Sequence, residues 1–261
     1  MMQLANNVAI VTGPAKGMGT AITLALAEAG AHIVMVGRDT AAMQALAPQV
    51  EAMGRRVLVC RGDISSEADM VAMAAATATA FDGRADILVN VAGVRGTLDK
   101  TGWEMAASEF DDVIAANLRG SFLPARAALP MMVARRRGKI INIGGTFGMK
   151  GRANRVAYSA SKWGLRGLTR SLALEAGRHN INVNCVCPGV VIGPRFERTM
   201  AERMQLRGLS RAELEAELTG EIALRRFVTD ADIAAAVMFL VSEGARNITG
   251  QELVVDGGFV V

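Results

Sequence analysis

Short apolar runs alternate with longer amphipathic segments along the whole chain. The runs are "NVAIVTG", "HIVMVG", "RVLVCRGD", "DILVNVAG", "KIINIGG", "NINVNCVCPG" and "ELVVDGG". Such runs are typical of strands buried on both faces, and the segments between them are typical of helices that cover a sheet. With right-handed crossovers, the pattern predicts a doubly wound (Rossmann) α/β fold with a seven-stranded parallel sheet and helices on both faces.

Two predicted helices in the central part of the chain have recognisable boundaries. One is predicted to open at Ser108, with Asp111 three residues later, and to be kinked or broken at Pro124 and Pro130. The other is predicted to run from about residue 156 to residue 178 and to follow the strand "KIINIGG". These two helices carry the residues on which the functional interpretation depends.

The alternation is interrupted only between Val190 and Phe227. This segment is long and charged, and residues 197–220 within it are predicted to form one or two short helices. The chain has 261 residues, of which 51% are hydrophobic, and it shows no linker or repeat. We therefore expect residues 1–261 to form a single dinucleotide-binding domain with a substrate lid around 190–227.

Composition narrows the classes of function. The net charge of +4 is spread along the chain, so nucleic acid is not an expected partner. The chain contains neither a signal peptide nor a run of about 20 apolar residues, so we expect a cytoplasmic protein without a membrane span. Cys185 and Cys187 are two residues apart on a predicted strand, so they share one face and are interpreted as core side chains, and no metal site is expected.

A glycine-rich turn joins the first strand to the first helix. It reads Thr12-Gly13-x-x-x-Gly17-x-Gly19. Glycines here allow backbone N–H groups to approach a pyrophosphate, and the helix N-terminus favours negative charge. We therefore predict a dinucleotide site that includes Met18, the first residue of the helix.

The end of the second strand bears on which dinucleotide binds. An NAD site favours a carboxylate at the position that Gly37 occupies, and Arg38 follows it. Lys16 lies in the glycine turn. Two cations favour a 2′-phosphate, so NADP(H) is the preferred prediction and NAD(H) the alternative. Asp39 is expected to cap the next helix, although it could instead turn back toward the ribose.

The only tyrosine of the chain, Tyr158, precedes Lys162 by four residues on a predicted helix. At this spacing both side chains lie on one helix face. A nearby ammonium favours the ionised phenol, which would make Tyr158 a usable acid and base.

These motifs, taken in order, resemble those of the short-chain dehydrogenase/reductase family over residues 5–258. The matching elements are the glycine turn, Asp63 after the third strand, "NVAG" at 90–93, Asn117 in "AANLRGSF", "YSASK" at 158–162 and "PG" at 188–189. The resemblance implies that Tyr158 is the general acid/base and contacts the cofactor. It also implies that Lys162 holds the nicotinamide ribose of the cofactor and tunes Tyr158, and that Asn117 orders a water in a proton relay to Lys162. It further implies cofactor contacts from Asp63, Ile64, Asn90, Ala92, Gly93, Pro188, Gly189 and Val191.

The chain departs from the family pattern at two hydroxyl positions. The serine expected thirteen residues before the tyrosine is Gly145, and the threonine expected five residues after Pro188 is Gly193. Thr146 would replace the serine only if the Gly144–Gly145 pair bulges the strand. Alternatively, the substrate fills the space, or the chain has lost catalysis and only binds the dinucleotide.

The substrate is predicted to be a small alcohol or ketone, with 3-oxoacyl thioester reduction as the alternative. Gly145 and Thr146 are candidate substrate contacts. Loops expected near the site carry Arg95, Arg152, Arg155, Arg195 and Arg198, which suggests an anionic substrate, and Arg155 and Arg195 are the preferred candidates. Solvated loops or subunit contacts explain these arginines equally well. The resemblance also implies a homotetramer or homodimer.

Overall fold

One sheet of seven strands forms the centre of the molecule, and every neighbouring pair is parallel. The computed structural model describes residues 3–261, except for the side chain of Arg195. The strands are β1 (Val8–Thr12), β2 (His32–Gly37), β3 (Val57–Arg61), β4 (Ile87–Asn90), β5 (Gly138–Ile143), β6 (Ile181–Pro188) and β7 (Glu252–Val255). Their order is β3-β2-β1-β4-β5-β6-β7, which confirms the predicted doubly wound fold. The order reverses beside β1, and ligands of such sheets bind at that point.

Helices cover both faces of the sheet because the strands carry apolar side chains on both. The helices are α1 (Met18–Glu28), α2 (Thr40–Ala52), α3 (Glu67–Ala80), α4 (Ala107–Ile114), α5 (Gly120–Arg135), α6 (Val156–Gly177), α7 (Pro194–Arg207), α8 (Arg211–Gly220) and α9 (Asp230–Val241). One core cluster joins the sheet to α1, α2 and α9, and a second joins it to α3, α5 and α6. None of the helices within residues 3–261 is both long and apolar enough to cross a membrane.

The predicted break at the prolines is wrong. Both Pro124 and Pro130 lie inside α5, which is continuous from Gly120 to Arg135. The interruption lies instead at Ala115–Arg119, a single π-helical turn between α4 and α5. Tertiary packing outweighs the local cost of the prolines, since α5 buries one face in the second core cluster.

The start of α4 also differs from the prediction. The helix begins at Ala107, and Ala106 is its N-cap, rather than Ser108. The carboxylate of Glu109, not that of Asp111, accepts a hydrogen bond from the Ala106 N–H at 2.9 Å. The chain offered two acids near the start, and the one three residues after the N-cap residue caps the helix.

Residues 190–227 form two helices with an apolar cluster of their own. Phe196 and Met200 of α7 pack with Leu214 and Leu218 of α8. The two helices are also joined by exposed ion pairs, for example Arg211 to Glu197 at 2.7 Å. A bridge between Val191 and Val228 pairs the two ends of the segment. The segment therefore leaves the sheet after β6 and returns to it just before α9.

Candidate active site

The glycine turn between β1 and α1 packs tightly on one side and is open on the other. A Cβ atom at Gly19 would lie 2.0 Å from the carbonyl oxygen of Gly13, so the turn requires glycine there. Gly13 has φ of 65° and lies against Ala92, in the loop after β4. A Cβ atom at Gly17 would meet only the Asp230 carboxylate, at 3.7 Å. The turn thus leaves open backbone at the N-terminus of α1, as a pyrophosphate site requires.

Both cations predicted beside the cofactor ribose have carboxylate partners. The Lys16 Nζ atom lies 2.7 Å from Asp39 Oδ2, and Arg38 lies 3.5 Å from Asp63 Oδ2. The other oxygen of Asp39 accepts from the Ala42 N–H at 3.1 Å, so this residue caps α2, as predicted. The hydrogen bond from Lys16 lowers the pKa of Asp39. All four side chains are substantially exposed, and a bound phosphate can therefore compete for the two cations.

Three other residues predicted to contact the cofactor, Asp63, Ile64 and Asn90, are held by contacts within the chain. Asp63 Oδ1 accepts from both the backbone and the hydroxyl of Ser65, which lowers the pKa of Asp63. Ile64 is buried against Gly120. The amide of Asn90 is buried, and it donates to Asn142 Oδ1 at 2.9 Å. The side chains of Ile64 and Asn90 therefore support the fold around the site.

A cavity of about 190 Å³ lies at the carboxyl ends of the central strands. Its walls come from the glycine turn, from the loops after β4, β5 and β6, and from α6, α7 and α8. Ten of the residues predicted to belong to the site line it: Met18, Gly93, Gly145, Thr146, Arg155, Tyr158, Lys162, Pro188, Gly189 and Val191. The structure thus brings the predicted cofactor and substrate residues to one cavity.

Tyr158 and Lys162 occupy the same wall of this cavity, one helical turn apart on α6. The Lys162 Nζ atom is 5.7 Å from the centre of the Tyr158 ring and donates to the Ile143 carbonyl oxygen at 2.8 Å. Lys162 is buried, whereas Tyr158 is only partly buried. Phe147 packs edge-on against Tyr158, with 6.3 Å between ring centres. The phenol is therefore fixed in position and still accessible from the cavity.

Asn117 lies behind the cavity rather than in its lining. It belongs to the π-helical turn and is buried. Its side-chain amide donates to the Val94 carbonyl oxygen at 2.9 Å and to Ser161 Oγ at 3.0 Å, and its Oδ1 accepts from the Val94 N–H at 2.8 Å. Asn117 thus connects the loop after β4 to α6 and so holds two walls of the cavity together.

The two glycines after β5 have different roles. A Cβ atom at Gly144 would lie 2.6 Å from the sulfur of Cys185 and 3.0 Å from that of Cys187, so packing excludes any side chain. A Cβ atom at Gly145 would lie 3.5 Å from the Tyr158 hydroxyl, which is ordinary contact. A side chain at 145 would therefore lie beside the Tyr158 hydroxyl. Gly145 leaves a space where the serine of the pattern would lie.

Thr146 begins a short 3₁₀ turn, Thr146–Gly148, directly after this space. Its side chain is buried and belongs to the cavity wall. The strand ends at Ile143, so the residues that follow are not bound to strand alternation. Thr146 thus lies in the same cavity wall as the space at Gly145.

The arginines expected near the substrate separate into three groups. Arg152 and Arg155 line the cavity, and so does Arg95, which is paired with Glu202 at 2.5 Å. Arg198 is exposed and is not among the lining residues. The side chain of Arg195 lies outside the described part of the structure.

Sequence reasoning missed Arg203, which also lines the cavity. It lies on α7 at helical spacing from Phe196 and Met200, both buried and both part of the same wall. The spacing i, i+4, i+7 was the available signal, because it places all three on one helix face. No group of three or more metal-ligating side chains occurs within the described residues.

Comparisons with known proteins agree with this geometry. The family model described as "Enoyl-(Acyl carrier protein) reductase" matches residues 13–260. The chain is 38% identical over 259 residues to the (2S)-[(R)-hydroxy(phenyl)methyl]succinyl-CoA dehydrogenase subunit BbsD of Thauera aromatica, with 98% of each chain covered. It is 35% identical over 251 residues to the 3-oxoacyl-[acyl-carrier-protein] reductase FabG of Staphylococcus aureus, with 96% of each covered.

Solved structures are similar over nearly the whole chain. L-Sorbose reductase from Gluconobacter frateurii, complexed with NADPH and L-sorbose, superposes with a TM-score of 0.92 at 31% identity, covering 99% of this chain and 98% of that one. NAD⁺-bound xylitol dehydrogenase superposes with a TM-score of 0.92 at 26% identity, covering 98% and 100%. Similar structures therefore bind either nicotinamide cofactor.

Proposed function

The chain belongs to the short-chain dehydrogenase/reductase family and is an NAD(P)-dependent oxidoreductase of alcohols and ketones, and from this premise we propose that it prefers NADP(H) and uses Tyr158 as its acid/base. The observation that carries the proposal is the shared cavity. Tyr158 and Lys162 form one wall of it, and the open glycine turn reaches it through Met18. The nicotinamide ring would thus lie beside the reacting carbon of the substrate, and the Tyr158 hydroxyl would lie beside the oxygen bonded to that carbon.

The glycine turn fits the pyrophosphate of a nicotinamide dinucleotide, because its backbone is open where a Cβ atom would otherwise intrude. Met18, Gly93, Pro188, Gly189 and Val191 would hold the nicotinamide half, since they line the cavity. When bound, this cofactor supplies or accepts a hydride at the substrate carbon. The remaining chemistry is the movement of one proton at the substrate oxygen.

Tyr158 is the residue placed to move that proton. Its hydroxyl would donate to the oxygen of a ketone during reduction and accept the proton of an alcohol during oxidation. Lys162, anchored on the Ile143 carbonyl oxygen, lies beside the phenol, with its Nζ atom 5.7 Å from the centre of the Tyr158 ring. Asn117 would position the loop and helix around this pair through its bonds to Val94 and Ser161.

The space at Gly145 sets the question of what else contacts the reacting oxygen. A hydrogen-bond donor at such a position often contributes about 10²–10³ in rate. We propose that a substrate group occupies the space, because a side chain there would lie in contact with the Tyr158 hydroxyl. Thr146, in the same wall, is the second candidate for the missing donor.

The preference for NADP(H) is supported by Lys16 and Arg38. Both lie at the ends of the first two strands, where a 2′-phosphate is bound in this fold, and Gly37 replaces the carboxylate of an NAD site. Their carboxylate partners do not prevent phosphate binding, because exposed ion pairs are weak and a phosphate can replace the carboxylate. The test is the ratio of kcat/KM for NADPH and NADH, and a clear preference for NADH contradicts the proposal.

Residues 190–227 are proposed to be the substrate lid of a single domain. The helices α7 and α8 supply Phe196, Met200, Arg203 and Leu218 to the cavity. Arg95 links α7 to the loop after β4 through Glu202. Slower hydrogen exchange of this segment when cofactor and substrate are added would support closure, and unchanged exchange would contradict it.

The oligomer is proposed to be a homotetramer or homodimer, in the cytoplasm. Large apolar side chains are exposed on α5 and α6, among them Phe122, Trp163 and Leu174. The cysteines at positions 60, 185 and 187 are free thiols, which fits a reducing compartment. Light scattering on the purified protein tests the oligomer, and a monomer at micromolar concentration contradicts it.

Reduction of 3-oxoacyl thioesters is the second candidate, supported by the identity to the FabG reductase. Cofactor turnover with panels of alcohols, ketones and 3-oxoacyl thioesters separates the two. Turnover of simple ketones alone supports the main proposal, and turnover of thioesters alone supports the second. Dinucleotide binding without turnover of any compound contradicts both.

A further inference from the structure

Four arginines line one end of the cavity, which we call the lid end. Arg95 follows β4, Arg152 and Arg155 precede α6, and Arg203 lies on α7. Four guanidinium groups around a cavity of about 190 Å³ are unusual, because like charges repel and their burial is costly. Each of these charges therefore requires a neighbouring group that balances it.

Arg95 is balanced within the chain. It pairs with Glu202 at 2.5 Å and donates to Thr199 Oγ1 at 2.9 Å. Its own carbonyl oxygen accepts from Arg155 at 3.3 Å. Arg95 thus holds α7 against the loop after β4, and its charge is already neutralised.

Arg155 has no ion-pair partner among the described residues. Glu202, whose pKa is lowered by its hydrogen bond from Arg95 and less by Arg155, is already paired with Arg95. The Arg155 side chain is only 8% exposed, and the Arg95 carbonyl oxygen is its single hydrogen-bond acceptor among the described residues. Burial and the nearby charge of Arg203 lower the pKa of Arg155 to about 10. Arg155 is also the N-cap residue of the long helix α6, where the helix dipole disfavours a cation. Three effects therefore act against the same positive charge.

Arg203 and Arg152 also carry positive charges that no carboxylate of the described residues neutralises. Arg203 is half-buried, and its pKa is lowered by burial and by Arg152. Arg152 lies over the Phe147 ring at 5.4 Å. Neither has a hydrogen-bond or ion-pair partner in the part of the chain that the structure describes.

The acids near Arg203 do not neutralise it. Glu217 is held by two nitrogens of Arg207, at 2.7 and 2.8 Å. Glu221 is exposed to solvent. The guanidinium groups of Arg152, Arg155 and Arg203 thus retain most of their donors for a group from outside the chain.

We propose that Arg152, Arg155 and Arg203 form an anion subsite that binds a carboxylate or phosphate group of the substrate. The proposal rests on the proposed alcohol/ketone reaction and names the class of its substrate. Planar guanidinium groups bind either oxoanion through paired N–H donors. The anion lies at the lid end, and the reacting carbon lies beside Tyr158, three residues along the chain from Arg155.

The subsite is distinct from the positions of the cofactor phosphates. Those belong at the glycine turn and near Lys16 and Arg38, at the ends of β1 and β2. The three arginines lie after β5 and on α7. Phe196 and Met200 line the same end, so the substrate would carry an apolar portion together with its charge.

Matched pairs of ketones test the proposal by turnover. Acetoacetate and its methyl ester differ in the carboxylate, and dihydroxyacetone phosphate and dihydroxyacetone differ in the phosphate. We expect kcat/KM for the charged member of at least one pair to exceed that of its neutral partner by tenfold or more. The pair that shows the difference identifies the anion.

Variants then assign the effect to residues. Arg203→Gln and Arg155→Gln should raise KM for the charged ketone about ten- to hundredfold and change KM for the neutral ketone little. Arg198→Gln is the matched control, because Arg198 lies on the same helix, is exposed and does not line the cavity. If Arg203→Gln does not fold, Arg203→Lys retains the charge without the planar fork and should show a smaller increase in KM.

Melting temperature gives a readout that does not depend on turnover. Inorganic phosphate at millimolar concentration should stabilise the unmodified protein relative to chloride of equal ionic strength. Arg203→Gln should remove this response and raise the melting temperature in chloride by about 2–4 °C, since it relieves repulsion. Arg198→Gln should do neither.

The outcomes separate this proposal from the proposed function. If neutral and charged ketones are reduced equally well and phosphate does not stabilise the protein, the reaction stands and the subsite is refuted. If no alcohol or ketone is turned over but phosphate stabilises in an Arg203-dependent manner, the subsite stands and the reaction is refuted. If Arg203→Gln lowers the melting temperature and keeps the phosphate response, Arg203 is structural and the subsite is refuted.

Discussion

Two regions of the molecule balance their positive charges in different ways: the cofactor end, which we define by Lys16 and Arg38 beside the glycine turn, and the lid end of the cavity. At the cofactor end, Lys16 and Arg38 are exposed and each has a carboxylate within 3.5 Å. At the lid end, Arg155 and Arg203 are buried or half-buried and have no carboxylate partner among the described residues. Positively charged side chains are therefore neutralised within the chain at the cofactor end, whereas at the lid end those other than Arg95 lack a carboxylate partner within the described part of the chain.

The difference shows where charge is decisive. Exposed pairs contribute little and are screened by salt, so cofactor preference at Lys16 and Arg38 should respond in small steps. An unbalanced buried charge is costly to the fold, so it marks a place where a ligand has to supply the opposite charge. Substitutions at the lid end should accordingly have larger effects than those at the cofactor end.

The largest effect should come from Tyr158→Phe. This variant tests whether the phenol hydroxyl acts in the reaction of the substrate rather than in binding of the cofactor. Loss of the phenol proton donor should lower kcat about 10²–10⁴-fold. Cofactor affinity, measured by fluorescence titration, should be unchanged, because the ring and its packing on Phe147 remain. A variant that keeps its activity would show that another group moves the proton.

Gly145→Ser should have the next largest effect. The added side chain lies in ordinary contact with the Tyr158 hydroxyl, so its own hydroxyl can donate to the reacting oxygen. The φ of 158° at this position is one that side chains rarely adopt, so the variant should also be less stable. Turnover of small ketones should rise by up to about 10²-fold, whereas bulky ketones should be excluded. Gly177→Ser, at an open position at the end of α6, is the control.

An increase for every ketone, small or bulky, would contradict a substrate-specific use of the space. No increase for any ketone would indicate that Thr146 already supplies the hydrogen bond. In either case the melting temperature should be recorded, so that a loss of stability is not mistaken for an effect on catalysis.

The strands and backbone positions that form the site were predicted from the sequence better than the pairing of its charged side chains. Alternating apolar runs gave the seven strands and their parallel arrangement, because burial on both faces leaves a strong signal. Counting back from Tyr158 located Gly145, and the structure places that position against the Tyr158 hydroxyl. Asp39 was expected to cap α2, and it does.

The features that were not predicted from the sequence share a physical cause, because they depend on contacts between distant parts of the chain. The π-helical turn at Ala115–Arg119 has no local marker comparable to a proline, and yet it interrupts the helix where Pro124 does not. The pairing of Lys16 with Asp39 joins residues 23 positions apart. Arg203 becomes part of the cavity only because α7 folds over the ends of the strands.

Arg38→Ala tests the cofactor end and should have a moderate effect. Removing a charged donor from an exposed phosphate site should lower kcat/KM for NADPH about tenfold and leave NADH nearly unchanged. Arg135→Ala, at an exposed position at the end of α5 and away from the glycine turn, is the matched control. Equal losses with both cofactors would show that Arg38 does not read the 2′-phosphate.

The smallest effect should come from Asp39→Asn. This variant removes the carboxylate partner of Lys16, so that the cofactor end, like the lid end, has a cation without a carboxylate partner. Asparagine caps helices as well as aspartate does, so the hydrogen bond from the Ala42 N–H and the start of α2 should persist. The charge opposite Lys16 is lost, which frees that cation for the 2′-phosphate. Affinity for NADPH should therefore rise, by at most about fivefold, and the rise should disappear at high salt. Affinity for NADH should not change. If Asp39→Asn instead weakens NADH binding and leaves NADPH binding as it was, Asp39 contacts the ribose hydroxyl, and the cofactor end is built for NAD(H).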